Sequence, residues 1–273
     1  MPDNDHNDSS ATMRIGGCAI HIEGAGPETL LMLHGWPDTH ALWDGTVEVL
    51  RDSFRCARFT WPGFEPGSPR TLPQLDDILA LLLEVVDALC PGGKVTLVLH
   101  DWGCIFGYQF AMRHPERVER IIGVDIGDVA SLVRELDGRG KLAIAAYQVW
   151  LSAAWKMGGA LGDWMTRSMA RWLRAPAPAS TLHWQMNWPY YLTWFGGKAA
   201  LPRHSVPFHP SCPMLFIHGR RKHVRFHSRS WAAALAEQPG NRVEAFDTGH
   251  WVMVQAPARF HQVVRDWLLQ RSG

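Results

Sequence analysis

Cysteine is sparse in this chain of 273 residues: Cys18, Cys56, Cys90, Cys104 and Cys212 are odd in number, far apart and without a C-x-x-C pair. That pattern excludes a disulfide-stapled scaffold and a zinc knuckle. Long apolar runs are missing too. The most lipophilic stretch, 142–155, is interrupted by Gln148 and Ser152 and is too short to span a bilayer, and the first ten residues are acidic and polar with no hydrophobic segment of the signal-peptide kind. The expected location is the cytoplasm, with no membrane partner. Charge of one sign is also lacking: 27 Lys and Arg against 26 Asp and Glu leave a net charge of +1, which gives no electrostatic reason to expect nucleic acid. Tyrosine occurs only four times, and no Asp or Glu falls between Trp164 and Ala236.

What is present is apolar mass. With 47% hydrophobic and 19% charged residues, the chain has enough material for one large core, and an α/β fold routinely takes this length as a single unit. Short apolar runs at 30–33, 54–59, 95–99 and 121–124 read as buried strands, alternating with helical spacing at 75–89 and 105–113. The first three strands end in glycine-containing turns. From about Val129 to Val206 the chain instead reads as helical and tryptophan-rich, broken by the linker APAPAS, before strands resume at 214–217 and 243–246. The expectation is a largely parallel sheet flanked by helices, interrupted by a helical insertion.

The strongest chemical signal is VTLVLHDWGCIFG, a buried strand breaking at Asp101 into a turn that opens a helix. Such a strand-to-helix elbow lifts its central side chain above the sheet, beside the free N–H groups and positive end of the helix. An N-capping aspartate at an ordinary junction would fit the same position. Two further segments bear on it. In LMLHGWPDTHALW, the loop His34-Gly35-Trp36-Pro37 follows a strand; in such a fold that loop and the residue after the nucleophile each supply one N–H to an oxyanion hole, here Trp36 and Trp102. The Trp36–Pro37 bond is a candidate cis peptide. In AFDTGHWVMVQAPARF, His250 stands in the turn after the last strand, where the general base of this arrangement belongs.

Together HGWP, HDWG and GHW resemble the α/β-hydrolase superfamily over nearly the whole chain, and within it the branch with an aspartate nucleophile, the epoxide hydrolases and haloalkane dehalogenases. The resemblance implies an α/β-hydrolase fold with a helical cap inserted after the sixth strand: a disordered tail at 1–12, core at 13–128, cap at 129–207 and core again at 208–273. Aspartate suits attack on an sp³ carbon, because the alkyl ester formed can be hydrolysed where a serine ether could not. One family element is displaced. Three residues beyond Gly219, where the triad acid commonly stands, this chain has Lys222. Asp125, 24 residues past Asp101 at the alternative strand end that some members use, is the implied acid, with Asp128 as second choice.

The cap separates the activities. Opening an epoxide requires a proton donor for the alkoxide, and a phenol suits that role. Tyr147, 46 residues after Asp101, and Tyr190 and Tyr191 in NWPYY match the places where epoxide hydrolases carry their cap tyrosines. A dehalogenase would instead need N–H donors for a halide, from Trp102 and the cap tryptophans. Trp36, Trp102, Trp150 and Trp188 are the candidate substrate contacts. The leading expectation is an epoxide hydrolase acting on a small apolar molecule, without cofactor or metal, as monomer or homodimer. A haloalkane or haloacid dehalogenase and a non-catalytic ligand-binding protein are the alternatives. The acid-free stretch from Trp164 to Ala236 carries ten Lys and Arg. Its charge either solvates and docks this part of the chain or favours an anionic ligand.

Overall fold

The protein was described as a computed structural model covering residues 10–222 and 224–270. Eight strands form one sheet: β1 (Ser10–Ile15), β2 (Cys18–Glu23), β3 (Thr29–Leu33), β4 (Arg55–Phe59), β5 (Val95–His100), β6 (Val118–Val124), β7 (Met214–Gly219) and β8 (Arg242–Phe246). Their order is β1-β2-β4-β3-β5-β6-β7-β8. Only the β1–β2 and β2–β4 pairs are antiparallel; β4 through β8 run parallel. The tail expected at 1–12 lies outside the described residues up to position 9, and at Ser10 strand β1 has already begun.

Among the described residues there are eleven α-helices. Four belong to the sheet region before the insertion or within its start: α1 (Asp44–Leu50), α2 (Leu75–Leu89), α3 (Trp102–Arg113) and α4 (Val129–Glu135). Between β6 and β7, α4 is followed by α5 (Gly138–Met157), α6 (Gly159–Trp172), α7 (Trp188–Phe195) and α8 (Leu201–His204). After β7 come α9 (Arg229–Ala236), α10 (Val252–Gln255) and α11 (Pro257–Leu269). Among the described residues, no helix is long and apolar enough to cross a membrane.

The central strands β3, β5, β6 and β7 are mainly apolar on both faces because helices cover both. Successive side chains of a strand point to opposite sides, so Leu31 and Leu33 of β3 join the cluster with α2 and α3, while Leu30 and Met32 join the one with α1 and α11. In β5, Leu97 and Leu99 take the first side and Val98 the second. This two-sided burial gives the unbroken hydrophobic runs of a parallel sheet. The sheet's carboxyl edge is thereby fixed in place, and β3, β5, β6 and β8 deliver their next residues there. The segment between β6 and β7 is tied over that edge by direct bonds: the Trp36 indole donates to Asn187 Oδ1 at 2.7 Å, and the Trp188 indole to the Pro62 carbonyl at 2.9 Å.

Candidate active site

Asp101 links β5 to α3 with φ 51° and ψ −118°. For a residue with a Cβ this conformation costs about 1–3 kcal/mol and persists only where the surroundings impose it. Two glycines allow the imposition. A Cβ on Gly35 would fall on the Asp101 side chain and the Trp102 amide, and one on Gly103 would fall on the Leu33 carbonyl. The HGW loop can therefore approach the elbow closely enough for the Trp36 amide to donate to Asp101 Oδ1 at 2.7 Å. The Trp36–Pro37 peptide is cis. With Oδ1 so held, Oδ2 faces His250, whose Nε2 lies 3.4 Å away.

His250 sits in the turn between β8 and α10. Its Nδ1 is 2.5 Å from Asp125 Oδ2. Asp125 follows directly on β6, has φ 74° and is fully buried. Its backbone N–H donates to Ile217 on β7. Its Oδ1 accepts from the Gly219 amide at 3.1 Å and from the ammonium of Lys222. Asp125 is thus bonded to imidazole, amide and ammonium together, a combination that makes a buried carboxylate tolerable.

The charges follow. Burial pushes the Asp125 carboxyl up, but Lys222 and then His250 outweigh it and hold it well below the usual carboxylate range. Burial lowers the Lys222 ammonium despite Asp125. Burial would likewise lower His250, yet the Asp125 charge and the bonds to Asp101 and Asp125 raise it to about 9. Burial raises Asp101, while His250 and the Trp36 amide bring it below its ordinary value. The resting site is an imidazolium between two carboxylates.

Across from the elbow stand tyrosines. The Tyr190 ring packs edge-on against Trp102 at 5.1 Å, Trp36 at 5.9 Å and Tyr147 at 6.1 Å between centroids. Burial first, and the nearby Asp101 charge, push both hydroxyls above the usual phenol range, so both are protonated. The Tyr147 oxygen accepts from Gln148 Nε2 at 3.3 Å, which leaves its own proton uncommitted.

Other candidates are placed elsewhere. Tyr191 packs on Trp155 at 4.3 Å and Phe195 at 5.5 Å; neighbours on a helix point about 100° apart, so it turns away from the side Tyr190 occupies. Trp150, expected against substrate, is instead on the surface, its indole bonded to the Met165 carbonyl and its ring beside Trp164. Trp188 is buried one layer behind, stacked on Phe106, which stacks on Trp102. Asp128 caps α4 through Ser131 N at 2.7 Å and accepts from Phe208 N at 3.0 Å. Lys222 reads in the sequence only as the residue replacing an acid. Its contact with Asp125 spans 97 positions, and in the run Arg220-Arg221-Lys222 nothing in the sequence separates it from its basic neighbours.

The alpha/beta hydrolase family model matches residues 30–263. Among curated proteins, the chain is similar to the "Probable oxidoreductase EphD" of Mycobacterium bovis, 35% identical over 123 residues, covering 42% of this chain and 19% of that protein. It is also similar to the cis-3-alkyl-4-alkyloxetan-2-one decarboxylase of Shewanella oneidensis, 34% identical over 113 residues, covering 38% of this chain and 34% of that one. The match therefore spans 19% to 34% of the length of these relatives. Among solved structures, an epoxide hydrolase from Bacillus megaterium superposes with a TM-score of 0.73 at 19% identity, covering 94% of this chain and 99% of the other, a likeness of fold.

Proposed function

We propose that this chain, which belongs to the alpha/beta hydrolase family, hydrolyses epoxides to diols through an ester on Asp101, with residues 129–207 as the cap over the site. The observation that carries the reading is the pairing of an aspartate elbow, flanked by His250 and Asp125, with two protonated tyrosines opposite it. The free Asp101 Oδ2 attacks a ring carbon, the carbon–oxygen bond breaks, and the ring oxygen takes a proton from Tyr190 or Tyr147. Oδ1 stays on the Trp36 amide, with the Trp102 amide as the second donor.

Esterification removes the Asp101 charge, and with it one of the two carboxylates that keep His250 protonated. The imidazolium can then pass its proton, by way of water, to the tyrosinate left by the first step, and act as base. It takes a proton from water, the hydroxide oxygen adds to the ester carbonyl, and the Trp36 and Trp102 amides hold the oxyanion. Collapse expels the second diol oxygen, which is protonated by His250. The carboxylic acid left behind gives its proton to His250, which restores the resting imidazolium between two carboxylates. Asp125 orients the imidazole throughout.

Four of the indole N–H groups a halide could use, those of Trp36, Trp150, Trp188 and Trp194, are already bonded to Asn187, Met165, Pro62 and Gln148. Of the proteins this chain is similar to, one solved structure is named an epoxide hydrolase and one curated relative a decarboxylase of an oxetan-2-one. The test is His250→Gln incubated with a terminal aryl epoxide: intact-protein mass should rise by one substrate, mapping to Asp101, while the wild type releases diol. Neither adduct nor diol from any epoxide of a broad panel overturns the reading.

A further inference from the structure

Helix α5 has its polarity reversed. Tyr147 turns inward to Tyr190, and Ser152, fully buried, bonds to the Gln148 carbonyl. Between Lys141 and Lys156 every exposed residue is apolar: Leu142, Ala143, Ala146, Val149 and Trp150. A surface helix ordinarily presents the opposite arrangement. Leu142, Val149, Trp150 and the exposed Met157 recur at a spacing of two turns, so they form one stripe about 22 Å long. The stripe widens onto α6, because the Trp150 ring lies 6.1 Å from that of Trp164. As α6 runs back along α5, Trp172 comes toward the Leu142 end, and these two residues are each 70% exposed. Single apolar side chains are ordinary on a surface, but a contiguous row of them marks a face that something covers.

The charge around the stripe is of one sign. Residues 129–207 carry nine Lys and Arg against three Asp and Glu, an excess of six positive charges, while the rest of the chain carries 18 against 23. The net charge of +1 is the sum of these two opposite parts, which is why bulk charge gives no sign of a membrane partner. The three acids are used locally: Glu135 by Arg225 and the start of α9, Asp137 by the Gly140 amide, and Asp163 by the Trp184 amide and Arg167. Arg139, Lys141, Lys156, Arg171 and Arg174 are exposed, and each stands within three residues of Leu142, Met157 or Trp172. An apolar row bordered by cations is complementary to an apolar interior beneath an anionic surface.

We propose that the outer face of α5 and α6 docks on a bilayer containing anionic phospholipid, with the apolar stripe at headgroup depth and the five bases on lipid phosphates. Tryptophan beside Lys and Arg is the usual anchor at such an interface, and a helix of this composition lies in the plane of the membrane rather than crossing it. A second copy of the chain would bring the same positive charge against this face, and juxtaposed like charges oppose association. For the substrate, the consequence rests on the epoxide reading: α5 meets lipid on its outer side and presents Tyr147 on its inner side, so the substrate is an apolar epoxide dissolved in the bilayer.

The experiment is co-sedimentation of the full chain with vesicles of phosphatidylcholine alone and of phosphatidylcholine mixed with phosphatidylglycerol. Sedimentation velocity without lipid accompanies it, and urea midpoints check that each variant is folded. None of these readouts depends on the reaction, so failure of the epoxide reading leaves the result standing. The wild type should bind the mixed vesicles in preference to the neutral ones. Leu142→Gln/Trp172→Gln and Lys141→Gln/Lys156→Gln should each weaken that binding about tenfold or more, and Leu269→Gln, at another exposed leucine on α11, should leave it unchanged. No binding to the mixed vesicles, equal binding to both kinds, or equal binding by wild type and either double variant overturns the proposal. A dimer that Leu142→Gln/Trp172→Gln dissolves, without vesicle binding, gives the face to a second copy instead.

Discussion

The ammonium of Lys222 rests against the one carboxylate, Asp125, that also holds His250. A cation therefore stands where the sequence suggested a defect, and it neutralises the charge of an acid brought from another strand. Removing either partner leaves the other as a buried ion, which costs about 3–5 kcal/mol.

Asp125→Asn should accordingly act twice. Unfolding in urea should show a loss of a few kcal/mol, because Lys222 is stranded, and ester hydrolysis should slow more than ester formation in single-turnover mass measurements. Asp128→Ala should lower stability through the α4 cap by about 1 kcal/mol and leave the ratio of the two steps unchanged. Equal slowing of both steps by Asp125→Asn would argue against its orienting His250.

Tyr190→Phe and Tyr147→Phe should each reduce the rate of ester formation, together by about 10²–10⁴-fold, the usual yield of a general acid. Tyr191→Phe, on the Trp155 side of α7, should change it less than twofold. Halide release from bromoalkanes that survives the tyrosine changes, with no diol from epoxides, would reassign the reaction to dehalogenation.

The imidazolium makes stability depend on pH. His250 is raised from 6.5 to about 9 by folding, so its contribution is fully present below pH 6.5 and is lost as pH rises through about 9. The stability difference between wild type and His250→Gln, read from urea midpoints, should shrink over that interval. A difference that is flat from pH 6 to 10 would contradict the raised value.

Gly35→Ala places a methyl on the Asp101 side chain and the Trp102 amide. The loop must withdraw, and the Trp36 amide with it. Ester formation and hydrolysis should both fall at least 10²-fold, in the range lost with an oxyanion donor, while Gly138→Ala, where a Cβ meets nothing within 4 Å, should leave both steps intact.

Six of the eight strands are legible in the sequence: β3 to β7 because each is a mainly apolar, mainly buried run closed by a turn, and the partly exposed β8, RVEAF, because it runs into the turn that carries His250. Strands β1 and β2 are not: SATMRI and CAIHIE alternate polar with apolar, lie at the antiparallel edge and are partly exposed. Asp101 and His250 are legible because each stands in a turn at a strand's end, where topology alone brings them together. Which face of a cap helix turns inward depends on packing that spacing does not contain, so Tyr190 and Tyr191 look equivalent in sequence and Trp150 looks like a pocket residue. Lys222 is hidden for another reason: its meaning depends on an acid 97 positions away.

Trp36 carries two bonds with different owners. Its amide grips Asp101, and its indole grips Asn187, which in turn takes its place through Thr166 on α6. One indole and one amide thus make the hold on Asp101 answerable to the seating of the segment between β6 and β7.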